Sequence, residues 1–215
     1  METKEIVMIG YAGLSEGLGL IREHREELRK RYSEAYLEEI LKDEEILDRM
    51  DADRILDVIR LVEDLNSEAS GNQARACETG NGEFMAQNAD DGKEKIGTES
   101  AGETLTELTK GLYAGLWQLG EGHKSGLKTE LSAIPVRQGT IEVCNELDLN
   151  PYEIPSPGSY LYATRKGYDL VLRLKEAGIP AALIGVTTRE KARVICRGEE
   201  RRYLEAPAHE GAQGS

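Results

Sequence analysis

"NPYEIPSPGSYLYAT", residues 150–164, is the stretch on which the fold prediction rests. Three prolines and a glycine come first, and such residues end a preceding helix and shape a turn. The residues after Ser159 are aromatic and apolar, which is typical of a strand, and we expect that strand at Tyr160–Ala163. The stretch therefore predicts a helix-to-strand connection whose shape is set by proline and glycine.

A strand and a helix are predicted before this turn. "GLKTELSAI" alternates apolar and polar residues, which predicts a strand at Leu127–Ala133. Pro135 then introduces a helix that carries Val136, Ile141 and Cys144.

After the turn, the pattern predicts a helix, a strand and a hairpin. Leu170 and Leu174 follow helical spacing, and Gly178 ends that helix. "RVICRGEERRYLEA" is typical of a hairpin that turns near Gly198. The predicted strands here are Ala181–Val186 and Val194–Arg197.

The N-terminal third predicts one strand and a set of helices. We expect the strand at Lys4–Ile9, a glycine-rich turn, and then a helix for which Ser15 is the candidate N-cap. Further helical stretches are predicted at residues 33–50 and 51–65, and Asp51 is expected to cap the second of them.

"SAGETLTELTKGLYAGLWQLG" gives the strongest helical pattern. Ser100 and Glu103 have capping-box spacing, and Gly120 is a C-terminal stop. We expect a helix over Leu108–Leu119 on an apolar stripe of Leu105, Leu108, Leu112, Leu116 and Leu119.

Residues 66–102 are polar and rich in Asn, Gly, Ser and Glu, so they bury too little apolar surface to offset their ordering entropy. We predict a flexible insertion there, with one weak strand at Gly82–Asn88, and a disordered tail at residues 208–215. The rest, within residues 1–207, is predicted to be a single α+β domain. Its mixed sheet of four to six strands is expected to pack helices on one face.

Composition narrows the function classes. The net charge of −13 repels nucleic acid, and no apolar run is long enough to span a membrane. The first residues lack the features of a signal peptide, so we expect a cytoplasmic protein. Cys77, Cys144 and Cys196 are odd in number and far apart, which predicts free thiols.

Familiar catalytic motifs are absent from the sequence. There is no P-loop, no G-x-S-x-G and no H-E-x-x-H, and the glycines of "GYAGLSEGLG" lack dinucleotide-binding spacing. That turn could still present N–H groups to an anion, although glycines serving a tight turn are the commoner case. The three histidines lie far apart and the acidic run "DEEILDRMDAD" is typical of a solvated helix face, so no metal site is predicted.

The wording of "IPVRQ", then "LDLNPYE", then a small-residue turn and "AGIPAALIGVTT", resembles the C-terminal domain of the aminoimidazole ribonucleotide (AIR) synthetase related family. The start, "KEIVMIGYAGLSEGLGLIREH", is similar to the beginning of the same domain. The resemblance covers Lys4 to about Leu65 and Leu108 to about Pro207. The chain resembles the HypE hydrogenase-maturation enzymes of that superfamily, which also includes selenophosphate synthetase and thiamine monophosphate kinase.

The resemblance implies a site for a small phosphorylated ligand near the opening turn. The residues it assigns to ligand binding are Gly111, Ser156, Gly158 and Ser159. Pro157 removes an N–H that would otherwise donate to an anion. Either "FMAQNADDG" or "TELTKGL" stands where the family has a His-containing motif with paired glycines, and only Gly111 is clearly kept. No catalytic residue is assigned.

In the family, a preceding N-terminal domain supplies most of the ATP and Mg²⁺ binding. The resemblance thus implies an incomplete ATP-dependent, HypE-like enzyme that acts with a separately encoded N-terminal domain, with no cofactor bound by this chain alone. One alternative is a degenerate, non-catalytic relative that binds a ligand or a protein. Another is a structural or interaction domain. An exposed apolar face where the N-terminal domain would pack makes a homodimer or a partner complex an expected assembly.

Overall fold

The computed structural model describes residues 3–64 and 105–207. Seven strands lie within these ranges: β1 Glu5–Ile9, β2 Thr106–Leu108, β3 Gly126–Glu130, β4 Ser156–Thr164, β5 Ala181–Thr188, β6 Arg193–Arg197 and β7 Glu200–Tyr203. The α-helices in the same ranges are α1 Leu14–Glu23, α2 Arg25–Leu28, α3 Glu34–Leu41, α4 Glu44–Leu47, α5 Ala52–Asp64, α6 Leu112–Gly122, α7 Gln138–Glu146 and α8 Gly167–Glu176.

The strands form one mixed sheet in the order β2-β4-β1-β5-β3-β6-β7. Neighbouring strands are antiparallel except β3 and β6, which are parallel. β1 lies inside the sheet, paired with β4 on one side and β5 on the other. The predicted α+β class with a mixed sheet is confirmed.

The central strands are buried on both faces. Val7 and Ile9 of β1 point into a core built with α5 and α8, whereas Ile6 and Met8 point into a second core built with α6. β1 is therefore a nearly continuous apolar run, because a strand covered on both faces has no polar side. The prediction that helices pack on only one face of the sheet is wrong, because α6 packs on the face opposite α5 and α8.

A third core forms beyond the sheet, where α1, α3 and α7 pack together through buried residues that include Leu18, Leu37 and Val143. Ser33 caps α3, because its hydroxyl accepts the Tyr36 N–H at 3.3 Å. Asp51 caps α5 as predicted, accepting the Arg54 N–H at 2.8 Å.

The strong leucine pattern was only partly a helix. Thr106–Leu108 forms the edge strand β2, and α6 begins four residues later than predicted, at Leu112. Leu108 still enters the same core as Leu112 and Leu116, so strand and helix supply one continuous apolar stripe. Periodicity could not separate the two because they meet at the same core.

Other predicted boundaries shift by a few residues. The stretch predicted as one helix over 33–50 is two shorter helices, α3 and α4, and Ser15 lies inside α1 rather than at its N-cap, which is Gly13. The predicted strand Leu127–Ala133 ends at Glu130 and continues as a 3-10 turn. The sheet has more than the four to six predicted strands. The predicted insertion at residues 66–102, with its weak strand, and the predicted tail at residues 208–215 lie outside the described residues.

Arg193 of β6 contacts two residues of α6. Its guanidinium lies over the Trp117 ring, 3.9 Å from the ring centroid, and forms an ion pair with Glu121. A Cβ on Gly120 would lie 2.5 Å from Nε of Arg193, so the glycine leaves room for this contact. The hairpin of β6 and β7 thereby holds a fixed position beside α6.

Candidate functional site

The turn between β1 and α1, residues 10–13, is here named the glycine turn. Gly10 and Gly13 have φ values of 98° and 67°, in the left-handed region that favours glycine. A Cβ on Gly10 would lie 2.5 Å from Oγ of Ser159, and one on Gly13 would lie 2.8 Å from the carbonyl oxygen of Pro151. The glycine turn therefore packs directly against the segment that leads into β4.

The two predicted serines bind the glycine turn. Oγ of Ser156 accepts the Gly13 N–H at 2.5 Å, and Oγ of Ser159 donates to the Tyr11 carbonyl oxygen at 3.1 Å. Both serines are buried. Their hydroxyls are thus used to join β4 to the start of α1, a role that the sequence could not reveal because the partners lie more than 140 positions away.

Gly158 lies in open surroundings. Its φ is 78°, and nothing lies within 4 Å of the position that a Cβ would take. Its N–H donates to Oε1 of Glu107 at 3.0 Å, which ties the start of β4 to β2. Among the four predicted residues, Gly158 is the one whose surroundings leave space for a ligand.

Gly111 lies immediately before α6, with a φ of 86°. A Cβ there would lie 2.3 Å from the carbonyl oxygen of Glu153. The first N–H groups of α6, from Leu112 and Tyr113, donate to the carbonyl oxygen of Tyr152 at 2.9 and 3.2 Å. A backbone carbonyl thus occupies part of the positive end of this helix, where an anion would otherwise bind.

The four predicted residues adjoin one segment of chain, residues 150–159. Gly111 contacts it from the position just before α6, and the two serines and Gly158 belong to it. Ligand binding by these residues stays a prediction.

Of the two stretches compared with the family's His-containing motif, "TELTKGL" forms β2, a turn and the start of α6. "FMAQNADDG" lies outside the described residues.

An open cavity of about 550 Å³ lies beside the glycine turn. Tyr11, Pro135 and Pro180 line it together with Arg49 and Lys175. The guanidinium of Arg137 lies 5.6 Å from the centroid of the Tyr11 ring and holds Asp43 through two hydrogen bonds of 2.6 and 2.7 Å. Asp43 accordingly raises the pKa of Arg137.

A second cavity, of about 480 Å³, lies between the first turn of α6 and the β6–β7 hairpin, and is named the hairpin cavity. Its lining includes Lys110, Tyr113, Arg197, Glu200 and Arg202. The sequence analysis missed it. The sequence predicted the hairpin, but the packing of that hairpin beside α6 depends on the parallel pairing of β3 with β6, which the sequence pattern does not give.

Metal and thiol chemistry find little support in the described residues. Across residues 3–64 and 105–207, no group of three or more His, Cys, Asp or Glu side chains is placed to hold a metal ion. Cys144 and Cys196 are free and buried, as predicted, and burial raises the pKa of the Cys144 thiol to about 11. No helix within these ranges is long and apolar enough to cross a membrane.

No family model and no curated protein matches this sequence. Solved structures that resemble it include E. coli HypE, a hydrogenase maturation protein, at 24% identity over 53% of this chain and 38% of that one, with a TM-score of 0.45. Thiamine-monophosphate kinase from Stenotrophomonas maltophilia K279a is 12% identical over 92% of this chain and 50% of that one, with a TM-score of 0.48. The chain spans half or less of either structure, and similarities of this size do not assign an activity.

Proposed function

We propose that this chain is an AIR synthetase related, HypE-like domain that contributes a ligand-binding surface to an ATP-dependent reaction. ATP and Mg²⁺ would be bound chiefly by a separately encoded domain of the family's N-terminal type. The sequence resemblance supports this proposal. "LDLNPYE" and the turn after it connect α7 to β4, and "AGIPAALIGVTT" connects α8 to β5, so both stretches lead into strands of the same sheet.

The observation that carries the proposal is the gathering of the predicted residues. Gly111 and the residues Ser156–Ser159 come from separate stretches of sequence, yet they adjoin the same segment at the start of β4. Gly158, with its positive φ and open surroundings, is where a phosphorylated ligand would approach the backbone most closely. The ligand's phosphoryl group would be positioned there, while the partner domain supplies the metal.

A degenerate, non-catalytic relative is the second candidate, and one observation favours it. The hydroxyls of Ser156 and Ser159 and the N–H groups of Leu112 and Tyr113 all bind the protein itself. Pro157 has no N–H to offer. A site in which so many donors are already used would bind a phosphorylated ligand weakly or bind a protein surface instead.

Calorimetry with Mg-ATP tests the proposal. For the chain alone we expect no binding tighter than about 1 mM, which corresponds to about −4 kcal/mol. Its net charge of −13 also disfavours a polyanion. Adding a candidate N-terminal domain should give micromolar binding and ATP turnover that neither protein shows alone, and Gly158→Val should weaken both.

The outcomes separate the candidates. Micromolar binding of Mg-ATP by the chain alone would contradict the dependence on a partner. A complex of the two proteins with neither ATP binding nor turnover would support the degenerate relative. Light scattering measures the oligomeric state, and we expect a homodimer or a complex with the N-terminal domain. A chain that stays monomeric at high concentration and binds no candidate N-terminal domain would contradict the proposal.

A further inference from the structure

The hairpin cavity has an apolar floor and a charged rim. Ala114 of α6, Ile195 of β6 and Leu204 after β7 line the floor, with Leu131 beside them. A volume of about 480 Å³ lies within the usual range of small-molecule sites, roughly 300–1,000 Å³. The cavity is therefore large enough for a small organic molecule with an apolar part.

Four charged side chains of the rim are not held by an oppositely charged group in the described part of the chain. Arg197 and Arg202 carry positive charge, and Glu200 and Glu205 carry negative charge. Within residues 3–64 and 105–207, none of these four side chains forms an ion pair or a hydrogen bond, and Arg197 and Arg202 interact only at longer range with the phenols of Tyr152 and Tyr113. Other charged groups nearby do pair: Arg193 of the same strand β6 binds Glu121 of α6, and Glu153 binds the amide of Asn150 at 2.7 Å. The four rim charges are thus available to a ligand.

The strand register brings the charges together. In the hairpin, Arg197 lies opposite Glu200, and Arg202 lies opposite the floor residue Ile195. Residues opposite each other in antiparallel strands point to the same face, so both guanidiniums and the Glu200 carboxylate border one space. Arg201, between them in sequence, points to the other face and does not line the cavity.

An aromatic wall completes the cavity. Tyr113 lines it and stacks on Tyr152, with ring centroids 5.8 Å apart and an interplanar angle of 22°. Burial raises the pKa of both phenols, so the two rings are uncharged at neutral pH. The Tyr113 ring, supported by Tyr152 behind it, adds a flat apolar surface beside the floor.

We propose that the hairpin cavity binds a free α-amino acid with an apolar side chain, an inference that goes beyond the proposed function. Arg197 and Arg202 bind its carboxylate, since guanidinium groups bind carboxylates with two parallel hydrogen bonds. Glu200 and Glu205 bind its ammonium group. The side chain packs on the floor and against Tyr113. A zwitterion satisfies both pairs of charges, whereas a phosphate dianion would be repelled by the two carboxylates and a neutral hydrocarbon would leave all four unused.

Calorimetry with L-phenylalanine and L-leucine tests this assignment. Two truncated ligands separate the contributions: 3-phenylpropionate lacks the ammonium group, and 2-phenylethylamine lacks the carboxylate. We expect at least one of the two amino acids to bind and both truncated compounds to bind at least tenfold more weakly than phenylalanine. Inorganic phosphate should not compete at millimolar concentration.

Variants locate the site. Arg202→Gln and Glu205→Gln each remove one exposed charge, and each should weaken amino-acid binding at least tenfold. Arg201→Gln is the matched control, from the same strand but the opposite face, and its affinity should equal that of the wild type. Circular dichroism checks that all three variants remain folded.

Any one of four results would overturn the assignment. One is that neither amino acid binds at concentrations up to about 10 mM. Another is that the truncated ligands bind as tightly as phenylalanine. A third is that Arg201→Gln loses as much affinity as Arg202→Gln. Tighter binding of phosphate than of either amino acid would also overturn it. Because Mg-ATP binding with a partner domain is measured separately, failure here leaves the proposed function standing.

Discussion

The glycine turn and the hairpin cavity use their polar groups in opposite ways. Around the glycine turn, the hydroxyls of Ser156 and Ser159 both bind backbone groups of the protein. Around the hairpin cavity, the charges of Arg197, Arg202, Glu200 and Glu205 form no ion pair or hydrogen bond in the described part of the chain. A polar group that binds its own protein supports stability, whereas one left without a partner at the rim of a cavity is free to bind something else.

This difference gives each region its own measurable quantity. Substitutions in and around the glycine turn should change the free energy of unfolding. Substitutions at the hairpin cavity rim should change ligand affinity and leave stability nearly unaltered, because exposed charges contribute little to folding. The predictions below run from the largest expected effect on stability to the smallest.

Gly111→Ala should destabilise the protein most. Its φ of 86° disfavours an L-residue, and the new Cβ would lie 2.3 Å from the backbone oxygen of Glu153, which cannot move aside as a side chain would. We expect a loss of about 3 kcal/mol in the free energy of unfolding, combining left-handed strain with overpacking. Urea denaturation followed by circular dichroism measures it.

Two other glycines serve as controls for Gly111. Gly158 has a φ of 78° but open space, so Gly158→Ala should cost only the strain of about 1 to 2 kcal/mol. Gly19 lies within α1 with nothing within 4 Å, so Gly19→Ala should stabilise by about 0.5 to 1 kcal/mol. Equal losses at Gly111 and Gly158 would contradict the close packing of α6 against Glu153.

Ser156→Ala is expected to have the next largest effect. The change removes the acceptor of the Gly13 N–H and leaves a buried donor without a partner, which costs about 1 to 3 kcal/mol. Ser159→Ala should cost less, about 1 kcal/mol, since the Tyr11 carbonyl oxygen is a better tolerated orphan than an N–H.

Urea denaturation of the two serine variants gives the comparison, with Ser132→Ala as a control on an exposed serine that binds Glu130 at 3.0 Å. If Ser156→Ala matched the wild type in stability, the hydroxyl would not be structural, and the interpretation of Ser156 as a ligand-binding residue would gain.

Much of this fold could be predicted from the sequence, and the exceptions have physical causes. The apolar strand β1, the hairpin turn near Gly198 and the cap at Asp51 were predicted because they depend on neighbouring residues. The strand β2 was missed because its leucine enters the same core as the α6 leucines. Helices on both faces were missed although the continuous apolar run Ile6–Ile9 is typical of a strand that is covered on both faces.

The candidate site shows the same limit to what the sequence can predict. The positive φ of Gly111 and Gly158 could be expected from glycine in a turn, but their opposite surroundings could not, because these depend on which distant backbone packs nearby. The hairpin cavity forms only when β6 pairs in parallel with β3, a contact between strands that are more than 60 residues apart in the sequence. Local patterns carry no information on such a pairing.

The last prediction concerns Glu34, whose charge, unlike those of the hairpin cavity rim, is fully paired. Arg29 and Arg25 hold it, and they lower the pKa of Glu34 from 4.5 to about 2. A carboxylate with a lower pKa in the folded state stabilises the protein above its unfolded pKa, and that contribution disappears as the pH falls from about 4.5 through about 2. Glu34→Gln should therefore be slightly less stable than the wild type at pH 7, with a difference that vanishes towards pH 2. Urea midpoints across this range measure the effect, and Glu23→Gln, an exposed residue on α1, serves as the control. A constant difference at every pH would show that the ion pairs of Glu34 do not stabilise the fold.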